Sequence, residues 1–102
     1  MPSITAAETN YLAFNIASVD YHIQLYGYLQ AKTSTSAIKD CDSYIGKQPL
    51  YNHTYDKPSP KVPGTNETLC TYVRNAINHP DSGRSYTNEE LRLSIEILRS
   101  LL

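Results

Sequence analysis

A chain of 102 residues and 11.5 kDa has room for one domain, spanning residues 1–102, and none for a second. Hydrophobic residues at 40% suffice for a modest core, while 19% charged residues is too few for a disordered polyelectrolyte. Nine Lys and Arg against ten Asp and Glu give a net charge of −1, which argues against a nucleic-acid binder that works by bulk positive charge and leaves only local placement of cations. No apolar run approaches the roughly 20 residues that span a bilayer, so no membrane segment is expected. Met-Pro-Ser-Ile-Thr at the start has no basic region followed by an apolar stretch, so a cytoplasmic protein without a signal peptide is expected. Asn52-His53-Thr54 and Asn66-Glu67-Thr68 fit the glycosylation pattern, which is idle without export.

In chain order, a helical pattern runs from about Thr5 to Lys32, with Gly27 its one weak position. Leu12, Ile16, Val19, Ile23 and Tyr26 make one stripe, and Phe14, Tyr21, Leu25 and Tyr28 make another. Positions 12 and 14 are about 200° apart on a helix, so both sides need cover, and in a small domain a partner chain is the natural cover. Thr33-Ser34-Thr35-Ser36 supplies caps for a short helix from about Ser36 to Gly46. Residues 47 to 65 contain Pro49, Pro58, Pro60, Pro63 and Gly64 and read as one long loop.

Thr65-Asn66-Glu67-Thr68 starts the next helix, with Leu69, Tyr72, Val73, Ala76 and Ile77 facing inward and Pro80 as its stop. After Asp81-Ser82-Gly83, Thr87-Asn88-Glu89-Glu90 reads as a capping box for a last helix marked by Leu91, Ile95, Leu98 and Leu102. No segment alternates as a strand does. The expected fold is all-α, a small antiparallel bundle of three to four helices with a long Pro-rich loop. Cys41 and Cys70 show no zinc-type spacing and read as buried thiols, so no metal or other cofactor is expected.

The chemistry concentrates in Tyr72-Val73-Arg74-Asn75-Ala76-Ile77-Asn78-His79-Pro80. Asn75 and His79 are four apart and share a helix face, and Arg74 lies about 100° away on the same polar side. Arg stabilises charge on a phosphoryl oxygen, and His exchanges a proton near neutrality. Asn orients either the phosphate or the imidazole. Together the three suffice for metal-free RNA cleavage. The bland alternative is a solvated helix end, with His79 meeting the dipole and capping carbonyls.

Arg74-Asn75-Ala76-Ile77-Asn78-His79 resembles the Arg-x4-6-His signature of HEPN (higher eukaryotes and prokaryotes nucleotide-binding) domains, in which Asn commonly follows the Arg. The likeness extends through Pro80 and the Tyr86–Leu91 helix start and covers about residues 67 to 102; the rest matches only as helical. It implies a dimeric helical bundle and a metal-independent endoribonuclease of toxin–antitoxin, abortive-infection or other anti-phage defence systems. On that resemblance Arg74 and His79 are catalytic and Asn75 supportive. Pro80 and Asp81 stand where some toxin members carry the tyrosine that a nucleotidyltransferase antitoxin modifies.

In the Pro-rich loop, Lys47, Lys57 and Lys61 alternate with Tyr51, His53 and Tyr55. That mixture suits single-stranded RNA by stacking plus charge, or else is an exposed loop whose Tyr rings fold back on the bundle. The expected partners are RNA, a second copy of the chain through the first long helix and the Arg-x4-His helix, and an antitoxin or larger defence complex. The competing function is a non-catalytic helical adaptor or regulatory subunit.

Overall fold

A computed structural model describes residues 6–14, 16–35 and 37–102. Among them are five helices: α1 (Ala6–Phe14), α2 (Val19–Lys32), α3 (Ile38–Gly46), α4 (Leu69–Asn78) and α5 (Asn88–Leu101). A 3-10 turn (His53–Tyr55) and a ladder of β1 (Lys57–Pro58) with β2 (Asn66–Glu67) lie between α3 and α4. The fold is all-α. Helix α5 packs on α2 and α4, α4 also meets α2 and α3, and no described helix is long and apolar enough to cross a membrane.

The first helical segment is two helices rather than one. Ser18 is extended, and its hydroxyl accepts from Tyr21 N at 3.2 Å, which starts α2 afresh. In an unbroken helix Tyr11 and Tyr21 would stand about 15 Å apart along the axis. With the break, their rings pack at 5.2 Å. Arg99 locks the pair, donating to the Tyr21 hydroxyl at 2.7 Å with its guanidinium over the Tyr11 ring, while the Tyr11 hydroxyl donates to Glu96. The helix start at Thr5 and the cap at Ser36 lie outside the described residues.

The break also redistributes the two apolar stripes. Tyr21, His22, Leu25, Tyr26 and Leu29 form the buried face of α2, at the spacing of one helical stripe. Leu12, Phe14, Ile16, Val19 and Ile23 are left exposed around the α1–α2 corner. Thr33 closes α2 by donating to Leu29 O at 3.0 Å, and Thr35 caps the approach to α3 by accepting from Ala37 N at 3.1 Å.

The second half follows its sequence pattern closely. Leu69, Tyr72, Val73 and Ala76 are buried on α4, and Ile77 packs at the edge of the core. The N-cap of α4 is Thr68, three residues after the expected start, because Asn66 and Glu67 are drawn into the ladder opposite Pro58 and Lys57. Strands of two residues are too short for alternation to show. On α5 the Thr87–Glu90 capping box is present, and Leu91, Ile95 and Leu98 are buried together with Leu101; terminal Leu102 is exposed. Cys41 and Cys70 are buried free thiols, with burial pushing the Cys70 thiol up to about 12.

Candidate functional site

Helix α4 is fixed at its start by its neighbours. Asp42 of α3 accepts from Thr68 N at 2.9 Å and from the Thr68 hydroxyl at 2.7 Å. Tyr51, folded from the loop into the core, accepts from Leu69 N at 2.9 Å. Two of the N–H groups that a helix start leaves unpaired are thereby met. At the other end His79 leaves helical geometry (φ −133°) while its N–H donates to Asn75 O at 2.9 Å. Pro80 has no N–H to continue the ladder, so the imidazole is held at the helix end and exposed.

Arg74, Asn75 and His79 line one open cleft of about 580 Å³. Ile38, Lys39 and Asp42 of α3 border it, with Ser59, Lys61, Val62, Thr65 and Glu67 from the β1–β2 hairpin and Arg84 from the turn before α5. The Arg74 guanidinium is surrounded by neutral acceptors. Asn75 Oδ1 accepts from Nη1 at 2.9 Å. Asn78, with its amide oxygen turned toward the guanidinium, accepts from Nε at 3.1 Å and from Nη2 at 3.2 Å. Each of the three nitrogens has one N–H satisfied, so two of the five N–H bonds remain for a ligand.

Of the two carboxylates of the cleft, Glu67 is paired with a cation, whereas Asp42, bonded through Oδ1 to the neutral Thr68, keeps its charge. Asp42 holds Thr68, and Glu67 takes both forks of Arg84 at 2.9 and 2.7 Å. The Arg84–Glu67 pair is largely withdrawn from water and acts as a strut between the hairpin and the turn. Lys39, Lys61 and Arg74 have no ion-pair partner among the described residues. A chain of net charge −1 thus carries a cleft of positive sign, the kind of local placement its composition left open.

Of the loop residues expected at an RNA surface, only Lys61 reaches this cleft. Tyr51 is a core residue whose hydroxyl donates to Asp56 Oδ1 at 2.7 Å. His53 lies between two acceptors, Asp56 Oδ2 (3.0 Å) and Gly46 O (2.9 Å), so both contacts are hydrogen bonds only when the ring is protonated, and the bond to Asp56 raises its pKa. Tyr55 sets its ring edge-on to Tyr51. Lys57 pairs with Glu90 and lies over the Tyr72 ring. Lys47 is exposed beyond the end of α3 and outside the lining. These side chains fasten the loop to the bundle more than they present it.

Three residues of the site are additional to those expected from the sequence, and one of them is within reach of sequence pattern. Asn78 is that one, since it stands four residues after Arg74 and shares its face. Lys39 and Arg84 come from elements remote in sequence, with no local pattern to flag them. Comparison of the chain with family models, with curated proteins and with solved structures finds no match.

Proposed function

We propose that this chain is a metal-independent, HEPN-like endoribonuclease, acting on RNA in the cytoplasm as part of a toxin–antitoxin or anti-phage defence system. The supporting observation is that Arg74, Asn75 and His79 share one cleft in which the guanidinium is held by amides and pairs with no carboxylate among the described residues. A phosphodiester fits the two remaining N–H bonds of Arg74 as a planar fork fits two oxygens. The 2′-hydroxyl then attacks phosphorus in line, its proton passes to neutral His79, and the 5′-oxygen leaves. A 2′,3′-cyclic phosphate remains on one fragment. The leaving oxygen takes its proton from a second imidazole, supplied by another copy of the chain. Arg74 stabilises the charge that builds on the equatorial oxygens, and Asn75 fixes the guanidinium through Oδ1.

The test is incubation of the purified protein with mixed RNAs in chelator. Cleavage is expected, with His79→Ala lowering it at least about a hundredfold and Arg74→Ala by about a hundred- to a thousandfold. DNA of the same sequence is expected to survive. If His79→Ala with an intact helical circular dichroism spectrum cuts RNA at the parental rate, the assignment is wrong. The exposed apolar residues at the α1–α2 corner also suit a second reading, a non-catalytic adaptor that docks on a protein partner. That reading predicts no RNA loss with the parent protein and an association that survives both substitutions.

A further inference from the structure

Single uncompensated cations on a protein surface are ordinary, but among the described residues of this cleft three unpaired cations face one unpaired carboxylate, Asp42, and the two positive charges left over ask for more negative charge than one phosphodiester carries. Arg74 lines the cleft together with His79, the C-cap of α4. Lys39 reaches the same cleft from α3 and Lys61 from the hairpin, and neither has an ion-pair partner among the described residues. Arg84 cannot serve as a further grip, because Glu67 occupies its fork. Each lysine is followed or preceded in the lining by an apolar side chain, Ile38 before Lys39 and Val62 after Lys61. Lysine charge on either side of the cleft follows a phosphate backbone, and the aliphatic side chains beside it leave room for a base without stacking it. A volume of about 580 Å³ is ample for more than one sugar-phosphate unit.

We propose that Lys39 and Lys61 form a second phosphate subsite beside Arg74 and His79, so that the cleft takes a single RNA strand with at least two successive phosphates and discriminates against mononucleotides. The inference rests on reading the cleft as an RNA site, and its test is arranged to be separate from cleavage. The probes are 2′-O-methyl uridine oligomers, which have no nucleophilic 2′-hydroxyl and stay intact whatever the chemistry. Their affinities are measured by competition against a fluorescent 2′-O-methyl decamer, using the dinucleotide with one phosphate and the trinucleotide with two.

The trinucleotide is expected to bind about tenfold tighter than the dinucleotide, and the Lys39→Gln/Lys61→Gln double variant to lose that gain while binding the dinucleotide as the parent does. In the double variant the slope of log affinity against log salt for the trinucleotide is expected to flatten by about 0.7, the share of one phosphate that is no longer neutralised, a change that general loosening of the fold does not produce. Equal affinity for the two oligomers, no competition by either, or a gain that survives both substitutions overturns the subsite. Parallel cleavage assays on unmodified RNA with the parent and His79→Ala report on the ribonuclease reading alone. A protein that cuts RNA but shows no phosphate increment therefore loses only the subsite.

Discussion

Arg74 is held by two amides and by no carboxylate among the described residues, and that decides what it can do. Asn75 and Asn78 fix the plane of the guanidinium without neutralising it. Asn78→Ala releases Nε and Nη2 and leaves the charge, so RNA cleavage is expected to fall about tenfold while stability stays within about 0.5 kcal/mol, as for other exposed positions. Unchanged cleavage would show that Arg74 needs no such support. The other histidine of interest is buried. His22 Nε2 lies 2.6 Å from the Ser94 hydroxyl between α2 and α5, and Nδ1 has no partner. Burial holds its pKa down at about 4, because protonation would add an N–H donor with no acceptor. The unfolded chain, with a His pKa near 6.5, binds that proton more readily, so stability falls as pH drops from about 6.5 toward 4. Between pH 7 and pH 5 the loss is on the order of 2 kcal/mol from this group alone. Urea unfolding of the parent and of His22→Leu at both pH values isolates it: equal losses in the two proteins would remove His22 as the cause.

At the scale of elements, α4 and α5 were legible because their signals are local. The capping box, the Pro80 stop and the apolar faces all lie within a few residues of what they control. The break between α1 and α2 was not legible, since it is the packing of Tyr11 on Tyr21 and Arg99, 10 and 88 residues away, that rewards it. The site divides in the same way: Arg74, Asn75 and His79 were readable from one helix, whereas Lys39 and Arg84 needed the fold. The loop is the instructive case, because its Tyr and His residues suited either a stacking surface or rings folded back on the bundle, and the contacts of Tyr51, His53 and Tyr55 are of the second kind. Tyr51 joins the loop to the start of α4 through Leu69 N and Asp56. Tyr51→Phe leaves a buried helix N–H unpaired and is expected to cost about 2 kcal/mol in chemical denaturation, with faster hydrogen exchange at Leu69. A variant of parental stability and weaker RNA binding would instead restore Tyr51 to the RNA surface. Nearby, the hydrogen bond to Asp56 raises the His53 pKa, so its double bridge is complete below about 6.5 and is lost as pH rises through the raised value. A ring-proton titration by NMR that places His53 at or below 6.5 would contradict this.

The whole molecule has a radius of gyration of 13.1 Å, ordinary for a single domain of its length, yet it leaves apolar surface at one corner. Leu12, Phe14, Ile16, Val19 and Ile23 fall within a dozen residues of chain, and Phe14 is 68% exposed. Scattered apolar side chains need no explanation, whereas a run of five around one helix corner favours a partner. In the proposed reaction each copy brings one His79, and two proton transfers call for two imidazoles, which makes a second copy the partner of choice. A two-fold interface repeats every residue, so one glutamate placed in it appears twice and faces its own copy or the same apolar patch. Phe14→Glu/Ile23→Glu is therefore expected to convert a dimer in sedimentation experiments to a monomer, with thermal stability of the monomer little changed because neither side chain lies in the core. RNA cleavage per chain should fall with the dimer, and for the parent should decline steeply on dilution through the dimer dissociation constant. If the double variant sediments as the parent does, this corner is not the interface. If it becomes monomeric and still cleaves at the parental rate, one imidazole is enough, and the leaving oxygen takes its proton from elsewhere.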